Sequence, residues 1–211
     1  MFLDHVQFTR RDWRTRNAIK TARGLVWLSV PVKAKNHLDL KVADVLLDST
    51  SHWAEKHLRS IEQAYSQAPF LSQIIARIRA TYEHPPTLLM DLNRSLTRIC
   101  WEVLSAGQHK RFIGDEELGD LTDSDKNTRL IEICKRVGAT NYLSGPSAKE
   151  YILPAAWDAA GIKFEYIAYN YRAYPQLHGD FLPHVSILDV LMNLGPGSLD
   201  SALAPQALSK E

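Results

Sequence analysis

The stretch Asn141-Tyr142-Leu143-Ser144-Gly145-Pro146-Ser147 decides the fold class of this 211-residue chain. Its apolar start and polar turn predict a strand that leads directly into a helix over 148–152. A second short helix is predicted over 155–160, where Gly161 ends it, and a further strand over 162–169. Strands that alternate with helices are typical of α/β proteins. We therefore predict an α/β fold with a small, mostly parallel sheet flanked by helices.

Outward from this unit, the sequence predicts two more strands and a helical middle section. Residues 2–8 alternate apolar and polar side chains, the period of a half-buried strand, and residues 26–32 form an apolar run. From 53 to 103, apolar side chains recur at steps of three and four residues, which predicts helices. Pro69 and Pro85-Pro86 separate these helices, and Ser49, Thr50 or Ser51 is available to cap the first of them. Asp123, Ser124 and Asp125 are predicted to cap a further helix, which Gly138 ends.

Composition excludes several classes of protein. The formal net charge is +1, with 45% hydrophobic and 23% charged residues, so bulk charge does not recruit nucleic acid. Neither a signal sequence nor a long apolar run is present, and we expect a cytoplasmic protein without membrane insertion. Cys100 and Cys134 are predicted to be free, buried thiols. Residues 1–197 are predicted to form one domain and 198–211 a disordered tail.

The most distinctive polar segment is residues 2–17. It carries four arginines within seven residues, together with acidic, amide and aromatic side chains: Asp4, His5, Gln7, Arg10, Arg11, Asp12, Trp13, Arg14, Arg16 and Asn17. Guanidinium groups match the oxygens of phosphate and carboxylate, and an indole offers a flat apolar face. We predict that this segment binds an anionic or polyhydroxylated ligand. The alternative is a solvated basic turn.

The turn of the opening stretch is a second candidate site. Ser144, Gly145 and Ser147 precede a predicted helix, whose first N–H groups attract anions, and Lys149 adds a positive charge. The alternative is a capping box between Ser147 and Glu150, which satisfies those donors internally. The spacing is not that of a Walker loop.

A third candidate is the tyrosine-rich loop over 169–181. It contains Tyr174, Gln176 and His178, which suit a sugar or polyol ligand, and loops of this length are often functional. The alternative is a packed surface loop. The helix that follows is predicted to begin with a capping box of Ser186 and Asp189.

In order along the chain, these residues resemble the WbqC-like family. The resemblance rests on Asp4-x-Val6-Gln7-Phe8, Trp13-x-x-Arg16-Asn17, Trp27-Leu28-Ser29-Val30-Pro31-Val32, Trp53-x-x-Lys56-His57, Tyr65-x-x-Ala68-Pro69-Phe70, Leu92-Asn93, Tyr142-Leu143-Ser144-Gly145-Pro146-Ser147-Ala148, Tyr174-Pro175-Gln176 and Ser186-Ile187-Leu188-Asp189. His5 and Thr15 depart from the family pattern. Members usually begin earlier, with a strand and a Gln-Pro-x-x-x-Pro-Trp-x-Gly segment that this sequence lacks. We therefore expect a sheet without one strand and an incomplete site.

The resemblance implies a role in the biosynthesis of cell-surface polysaccharide of the O-antigen type. The leading hypothesis is a transferase that adds an acyl or aminoacyl group to a nucleotide-linked amino sugar. The arginines, Arg11 and Arg16 among them, would hold phosphates, while Trp13 and the tyrosine loop would hold the sugar. His57 and His178 are the general-base candidates, because imidazole titrates near neutral pH.

Two other functions remain open from the sequence. One is an ATP-using, nucleotidylyltransferase-like enzyme with its anion site at 144–149. The other is a non-catalytic protein that binds a nucleotide-linked sugar. In either case the expected partner is a small molecule rather than nucleic acid, and no metal site is predicted. The sequence assigns neither a cofactor nor an oligomeric state.

Overall fold

The computed structural model describes residues 1–34, 40–106, 108, 110–119, 121, 125–168, 172–198 and 206–208. These residues belong to two compact units. The smaller unit comprises Met1–Leu3, Phe112–Tyr171 and Leu203–Glu211, and the larger unit comprises Asp4–Arg111 and Arg172–Ala202.

Helices and strands alternate irregularly along the chain. The strands are β1 Arg16–Thr21, β2 Gly24–Ser29, β3 Val32–Lys33, β4 Leu46–Leu47, β5 Asn141–Ser144, β6 Lys163–Ala168 and β7 Gln206–Leu208. The α-helices are α1 Trp53–Ala64, α2 Leu71–Glu83, α3 Leu89–Leu104, α4 Asp115–Leu118, α5 Lys126–Arg136, α6 Pro154–Ala159 and α7 Ile187–Leu194. Two 3-10 helices cover Val42–Asp44 and Pro146–Glu150.

Antiparallel pairing predominates among the described strands. β1 and β2 form a hairpin, β3 pairs with β4, and β7 joins the edge of β6, all antiparallel. Only β5 and β6 are parallel, as the strand–helix–strand order predicts. The mixed α/β class is therefore confirmed, and so is the helical middle section. A mostly parallel sheet is not confirmed, because both strand pairs of the larger unit are antiparallel and a tight hairpin joins β1 and β2.

The core of the larger unit is built by α1, α2, α3 and α7. Their apolar stripes bury one face of each helix, with β1 against α1 and α7. The fully buried side chains there include Ile61, Ile74, Ile78, Leu89, Leu92, Leu191 and Met192. This packing holds β1 and thereby positions the residues at its two ends.

The smaller unit is organised around Trp157. Its indole is buried and stacks on Tyr142 of β5 at 4.9 Å between ring centroids. Asn127 joins this core to the preceding loop: its Oδ1 accepts hydrogen bonds from Trp157 Nε1 and from Leu153 N, and its Nδ2 donates to Tyr151 O at 2.7 Å. One buried amide thus satisfies three groups.

Several local predictions are confirmed and others are wrong. Asp125 caps α5 and Ser186 caps α7, as predicted. The predicted strand over 2–8 is wrong, since this segment makes only isolated bridges, and the strand forms instead in the basic residues of β1. The predicted cap of α1 at residues 49–51 is also wrong, because His52 is the N-cap and makes no side-chain cap bond.

Two predictions about chain organisation stay predictions. The single domain over 1–197 is one of them. The disordered tail over 198–211 falls largely outside the described residues. Within that range, Ser198 is buried and β7 pairs with β6.

Candidate functional site

A pocket of about 300 Å³ lies in the larger unit, beside the start of β1 and the end of β2. We call it the arginine pocket. Its lining consists of Phe8, Arg10, Arg11, Thr15, Arg16, Ser29, Val30, Val32 and Ala34. Two of the substrate-binding residues predicted from the sequence, Arg11 and Arg16, therefore line one cavity. Arg10, which belongs to the same basic segment, joins them.

Local structure explains why these arginines converge. Phe8 is buried and anchors the chain before the basic turn, while the N–H of Val30 donates to Thr15 O at 2.8 Å after it. Between these anchors, Arg11 adopts a positive φ of 58°, which reverses the chain direction. Arg10 donates from its guanidinium to Ala34 O at 2.5 Å, so the far wall of the pocket is tied to the turn.

The lining of the arginine pocket is strongly positive. Its described residues include three arginines and no carboxylate. Arginine stays protonated at any physiological pH, so these charges are permanent. A concave surface with one sign of charge attracts an oppositely charged ligand, and forked donors fit phosphate or carboxylate oxygens.

Other predicted residues of segment 2–17 have protein partners. Asp4 is buried and forms an ion pair with Arg94, at 2.6 Å between Oδ2 and the guanidinium. Asn17 accepts a hydrogen bond through its Oδ1 from the N–H of Ala18. Gln7 forms an antiparallel bridge with Lys41. Their predicted contacts with a substrate stay predictions.

Trp13 lies outside the lining of the arginine pocket. Its side chain is 75% exposed, and the Arg14 guanidinium lies over the ring at 4.7 Å from the centroid. Arg14 is also ion-paired with Asp12. This ion pair neutralises Arg14, one of the four arginines of the segment, and no ligand is needed for that. The predicted role of Trp13 in substrate binding stays a prediction.

His57, a predicted general base, lies inside the larger unit. It is 6% exposed and packs edge-on against Trp53 and Tyr82. Its Nε2 faces Ser29 O at 3.1 Å and donates to it, so the neutral ring has Nδ1 as its acceptor. Nδ1 has no hydrogen-bond partner among the described residues. Burial lowers the pKa of His57 from 6.5 to about 4.

This pKa makes the stability of the protein depend on pH. The unfolded chain takes up a proton at His57 below pH 6.5, whereas the folded chain does so only below about pH 4. The free energy of unfolding should therefore fall by ~3 kcal/mol as the pH is lowered from 6.5 to 4. Denaturant unfolding at several pH values measures it. His57→Gln should remove this part of the slope, while His84→Gln, an exposed histidine, should keep it; an unchanged slope in His57→Gln contradicts the assignment.

A buried polar cluster lies at the other end of β1. It consists of Lys20, Tyr65, Tyr174, Gln176 and Asp189. The ammonium of Lys20, 4% exposed, donates to Gln176 Oε1 at 3.2 Å and to the carbonyl oxygens of Gly179 and Asp180. All three donors of the ammonium are thereby used.

Asp189 is the carboxylate of this cluster. It is 1% exposed and accepts from Tyr65 Oη at 3.0 Å and from Tyr174 Oη at 2.8 Å. Burial, together with the adjacent carboxylate, raises the pKa of both tyrosines, so they remain donors. The predicted capping box of Ser186 and Asp189 is only half formed, because the N–H of Ser186 donates to Ala18 O instead.

Sequence reasoning missed most of this cluster. Lys20 belonged to a basic run and Asp189 to a helix start, both of which usually point to solvent. One signal was available: Asp189 lies within the apolar run of α7, where a carboxylate needs a buried partner. Tyr174 and Gln176, predicted to bind substrate, hydrogen-bond to each other and to the protein.

His178, the other predicted general base, lies on the exposed part of the loop. Its φ is 65°, and its Nε2 donates to Ala64 O at the end of α1 at 2.6 Å. The neutral ring therefore keeps Nδ1 as the proton acceptor. Tyr169, Asn170 and Tyr171 of the same predicted loop lie outside the described residues.

The predicted anion site at 144–149 belongs to the smaller unit. Gly145, not Ser147, is the N-cap of the 3-10 helix, so the predicted capping box with Glu150 does not form. Pro146 at the first helical position has no N–H, and Ala148 N donates to Gly145 O at 3.1 Å. Few backbone donors are therefore left for an anion.

The two flanking side chains of this turn also have partners. Lys149 lies over the Tyr166 ring at 5.2 Å from the centroid, and Ser144 shares a hydrogen bond with Tyr142. Their substrate role stays a prediction.

Comparison with known proteins identifies the family. The model of the WbqC-like protein family matches residues 1–201. The chain belongs to the WbqC-like family. A similar relative is the uncharacterized protein Rv1507c of Mycobacterium tuberculosis (strain ATCC 25618 / H37Rv), which is 39% identical over 199 residues. That match covers 93% of this chain and 84% of the relative, while no solved structure matches.

Two kinds of element are absent from the described residues of this WbqC-like chain. In the described parts of the chain, no helix has both the length and the apolarity needed to cross a bilayer. The same residues contain no group of His, Cys, Asp or Glu side chains that converges as a metal site.

Proposed function

We propose that this WbqC-like protein acts in the biosynthesis of cell-surface polysaccharide as a transferase. It binds a nucleotide-linked amino sugar through its phosphates and transfers an acyl or aminoacyl group to the amine. In that reaction the amine nitrogen attacks the acyl carbonyl carbon, an amide forms, and the leaving group of the donor departs. The single observation that carries the proposal is the convergence of three arginines on one pocket, whose described lining contains no carboxylate.

The charge of the pocket favours a phosphorylated ligand over a neutral sugar. A diphosphate presents several oxygens, and each guanidinium can donate two parallel hydrogen bonds to them. Hydrogen bonds to charged groups stabilise by about 1.5–3 kcal/mol each. The lining also brings Thr15 and Ser29 hydroxyl groups and an apolar wall of valines, which suits a sugar phosphate.

Neither histidine predicted as a general base is among the described residues that line the arginine pocket, and we propose His178 rather than His57 as the base for an amine that extends from the pocket toward the other end of β1, where Lys20 contacts Gly179. The ring of His178 is exposed and has Nδ1 as acceptor, whereas His57 is 6% exposed. A base must come within hydrogen-bond reach of the proton it removes. If His178 is the base, His178→Ala should lower kcat and leave ligand binding unchanged.

The binding step is testable with two arginine variants. Uridine-diphosphate N-acetylglucosamine should raise the Tm of the wild-type protein, because a ligand that binds only the folded state stabilises it. In Arg11→Gln/Arg16→Gln the affinity should fall by about 100-fold. Isothermal titration calorimetry measures this directly.

A matched control separates local contacts from net charge. Arg77→Gln/Arg98→Gln removes the same charge from the exposed surfaces of α2 and α3, at positions that do not line the pocket. It should bind as the wild type does. Equal loss in both double variants, or no binding by the wild type, contradicts a specific phosphate pocket.

A non-catalytic binding protein is the second candidate function. The observation that favours it is the composition of the pocket lining, whose described residues include no His, Cys, Lys, Tyr, Asp or Glu side chain to act as acid, base or strong nucleophile. It predicts binding of the nucleotide-linked sugar without turnover. Incubation with a nucleotide-linked sugar that carries a free amine and with candidate acyl donors, followed by mass spectrometry, distinguishes the two candidates.

A further inference from the structure

Trp27 lies at the rim of the arginine pocket, on the same face of the β1–β2 hairpin as two pocket residues. In the strand register Arg16 pairs with Ser29 and Ala18 pairs with Trp27. Side chains of paired residues project to the same side of a sheet, and so do those two positions apart. Arg16, Ser29 and Trp27 therefore share one face, and the first two line the pocket.

A direct contact joins Trp27 to the pocket. The Arg16 guanidinium lies 4.6 Å from the centroid of the Trp27 ring. One guanidinium thus borders both the cavity and the indole, and it can donate to an anion while it stacks on the ring. Trp13, the aromatic residue predicted from the sequence, contacts Arg14, which does not line the pocket.

The indole of Trp27 is open to solvent. The side chain of Trp27 is 55% exposed, although the residue belongs to strand β2. A large exposed aromatic side chain at the mouth of a polar pocket is the arrangement by which proteins stack flat ligands.

Pocket size indicates which part of a ligand stacks there. A volume of about 300 Å³ is at the lower end of the range for pockets that enclose whole small molecules. It holds phosphates and part of a sugar, and the rest of a larger ligand must extend past the rim. A nucleotide has an aromatic base attached to its phosphates through one ribose, which matches an indole beside a guanidinium cluster.

We propose that Trp27 is the stacking surface for the base of a nucleoside diphosphate whose phosphates lie among Arg10, Arg11 and Arg16. The inference rests on the proposed function, since it takes the arginine pocket as the phosphate site. It adds the residue that distinguishes a nucleotide from a simple phosphate. Stacking tolerates different bases, so uridine and adenosine diphosphates should both bind.

The experiment compares a nucleotide with the same anion lacking a base. Calorimetric titration of the full chain with uridine diphosphate, adenosine diphosphate and inorganic pyrophosphate gives three affinities. Trp27→Ala should weaken both nucleotides by about tenfold or more and change pyrophosphate by less than about twofold. Trp27→Phe should recover most of the affinity, because it restores an aromatic face.

Val26→Ala is the matched control, since Val26 is the neighbouring exposed apolar residue on the opposite face of β2. It should bind all three probes as the wild type does. Quenching of tryptophan fluorescence by the nucleotides, but not by pyrophosphate, should disappear in Trp27→Ala.

Each other outcome overturns a defined part of the argument. If Trp27→Ala weakens pyrophosphate as much as the nucleotides, Trp27 only positions Arg16 and the stacking role is wrong. If it weakens none of them while pyrophosphate binds, the pocket is a phosphate site and the base lies elsewhere. If pyrophosphate does not bind the wild type, the proposed function fails and this inference with it.

Discussion

Asp189→Ala should lower the free energy of unfolding by about 3–5 kcal/mol, because two tyrosine hydroxyl groups lose their acceptor at about 1–3 kcal/mol each. The carboxylate accepts from two tyrosine hydroxyl groups and from Asn193 Nδ2 at 3.2 Å. Once it is gone, Tyr65 Oη, which belongs to a fully buried side chain, has lost its acceptor. A buried donor without an acceptor keeps its whole desolvation cost. Urea unfolding followed by circular dichroism measures the loss.

Two variants define how this loss arises. Asp189→Asn keeps the size and one acceptor oxygen, so it should lose less than Asp189→Ala. Tyr65→Phe removes the donor instead and leaves the carboxylate with its other partners, so its cost should be near 1 kcal/mol. If Asp189→Ala costs no more than Tyr65→Phe, the carboxylate does not hold the cluster together.

Gly195→Ala should be comparably damaging, at about 4 kcal/mol, for a steric reason. Gly195 ends α7 with φ of 75°, a conformation that costs an L side chain energy. A Cβ built at this position would lie 2.5 Å from Cε1 of the Phe70 ring. The ring and the helix end must therefore separate. The same unfolding experiment measures the effect.

Gly24→Ala is the control for backbone strain alone. Gly24 also has a positive φ, of 95°, yet an added Cβ there meets no atom within 4 Å. Its cost should be near 1–2 kcal/mol. Phe70→Leu in the Gly195→Ala background should recover stability, because the smaller side chain yields to the new methyl group. No recovery there would mean that contact with Phe70 is not the cause.

Local signals in the sequence predicted helix ends well. Asp125 and Ser186 satisfy N–H groups within three residues of themselves, so their role depends only on their own segment. Gly138 adopts a φ of 68° just after α5, which a glycine does without steric cost. Such signals need no knowledge of the rest of the chain.

Strand positions at the start of the chain were predicted less well. Alternation over residues 2–8 is typical of a strand, but a strand requires a partner with free backbone groups. That partner, β2, pairs with β1 because Gly24 permits the tight turn between them. Periodicity records which face of a segment is apolar, and it does not record which segment lies beside it.

For the candidate site, too, the sequence predicted one part and the tertiary structure decided another. From the sequence alone, residues 2–17 are a cluster of arginines with a tryptophan, whose chemistry fits an anionic ligand. In the folded chain these arginines have different surroundings. Arg10, Arg11 and Arg16 line one pocket, while Arg14 is ion-paired with Asp12. Folding also places Trp27, ten residues or more away along the chain, beside Arg16.

Residue chemistry, helix ends and membership of the WbqC-like family were readable from the sequence by itself, because each depends on nearby residues or on motifs in order along the chain. The tertiary structure decided which charges are satisfied. Lys20 donates a hydrogen bond to Gln176, 156 residues away in the sequence, and Tyr65 donates one to Asp189, 124 residues away. A buried charge is stable only with such partners, and distant partners become neighbours only when the whole core packs.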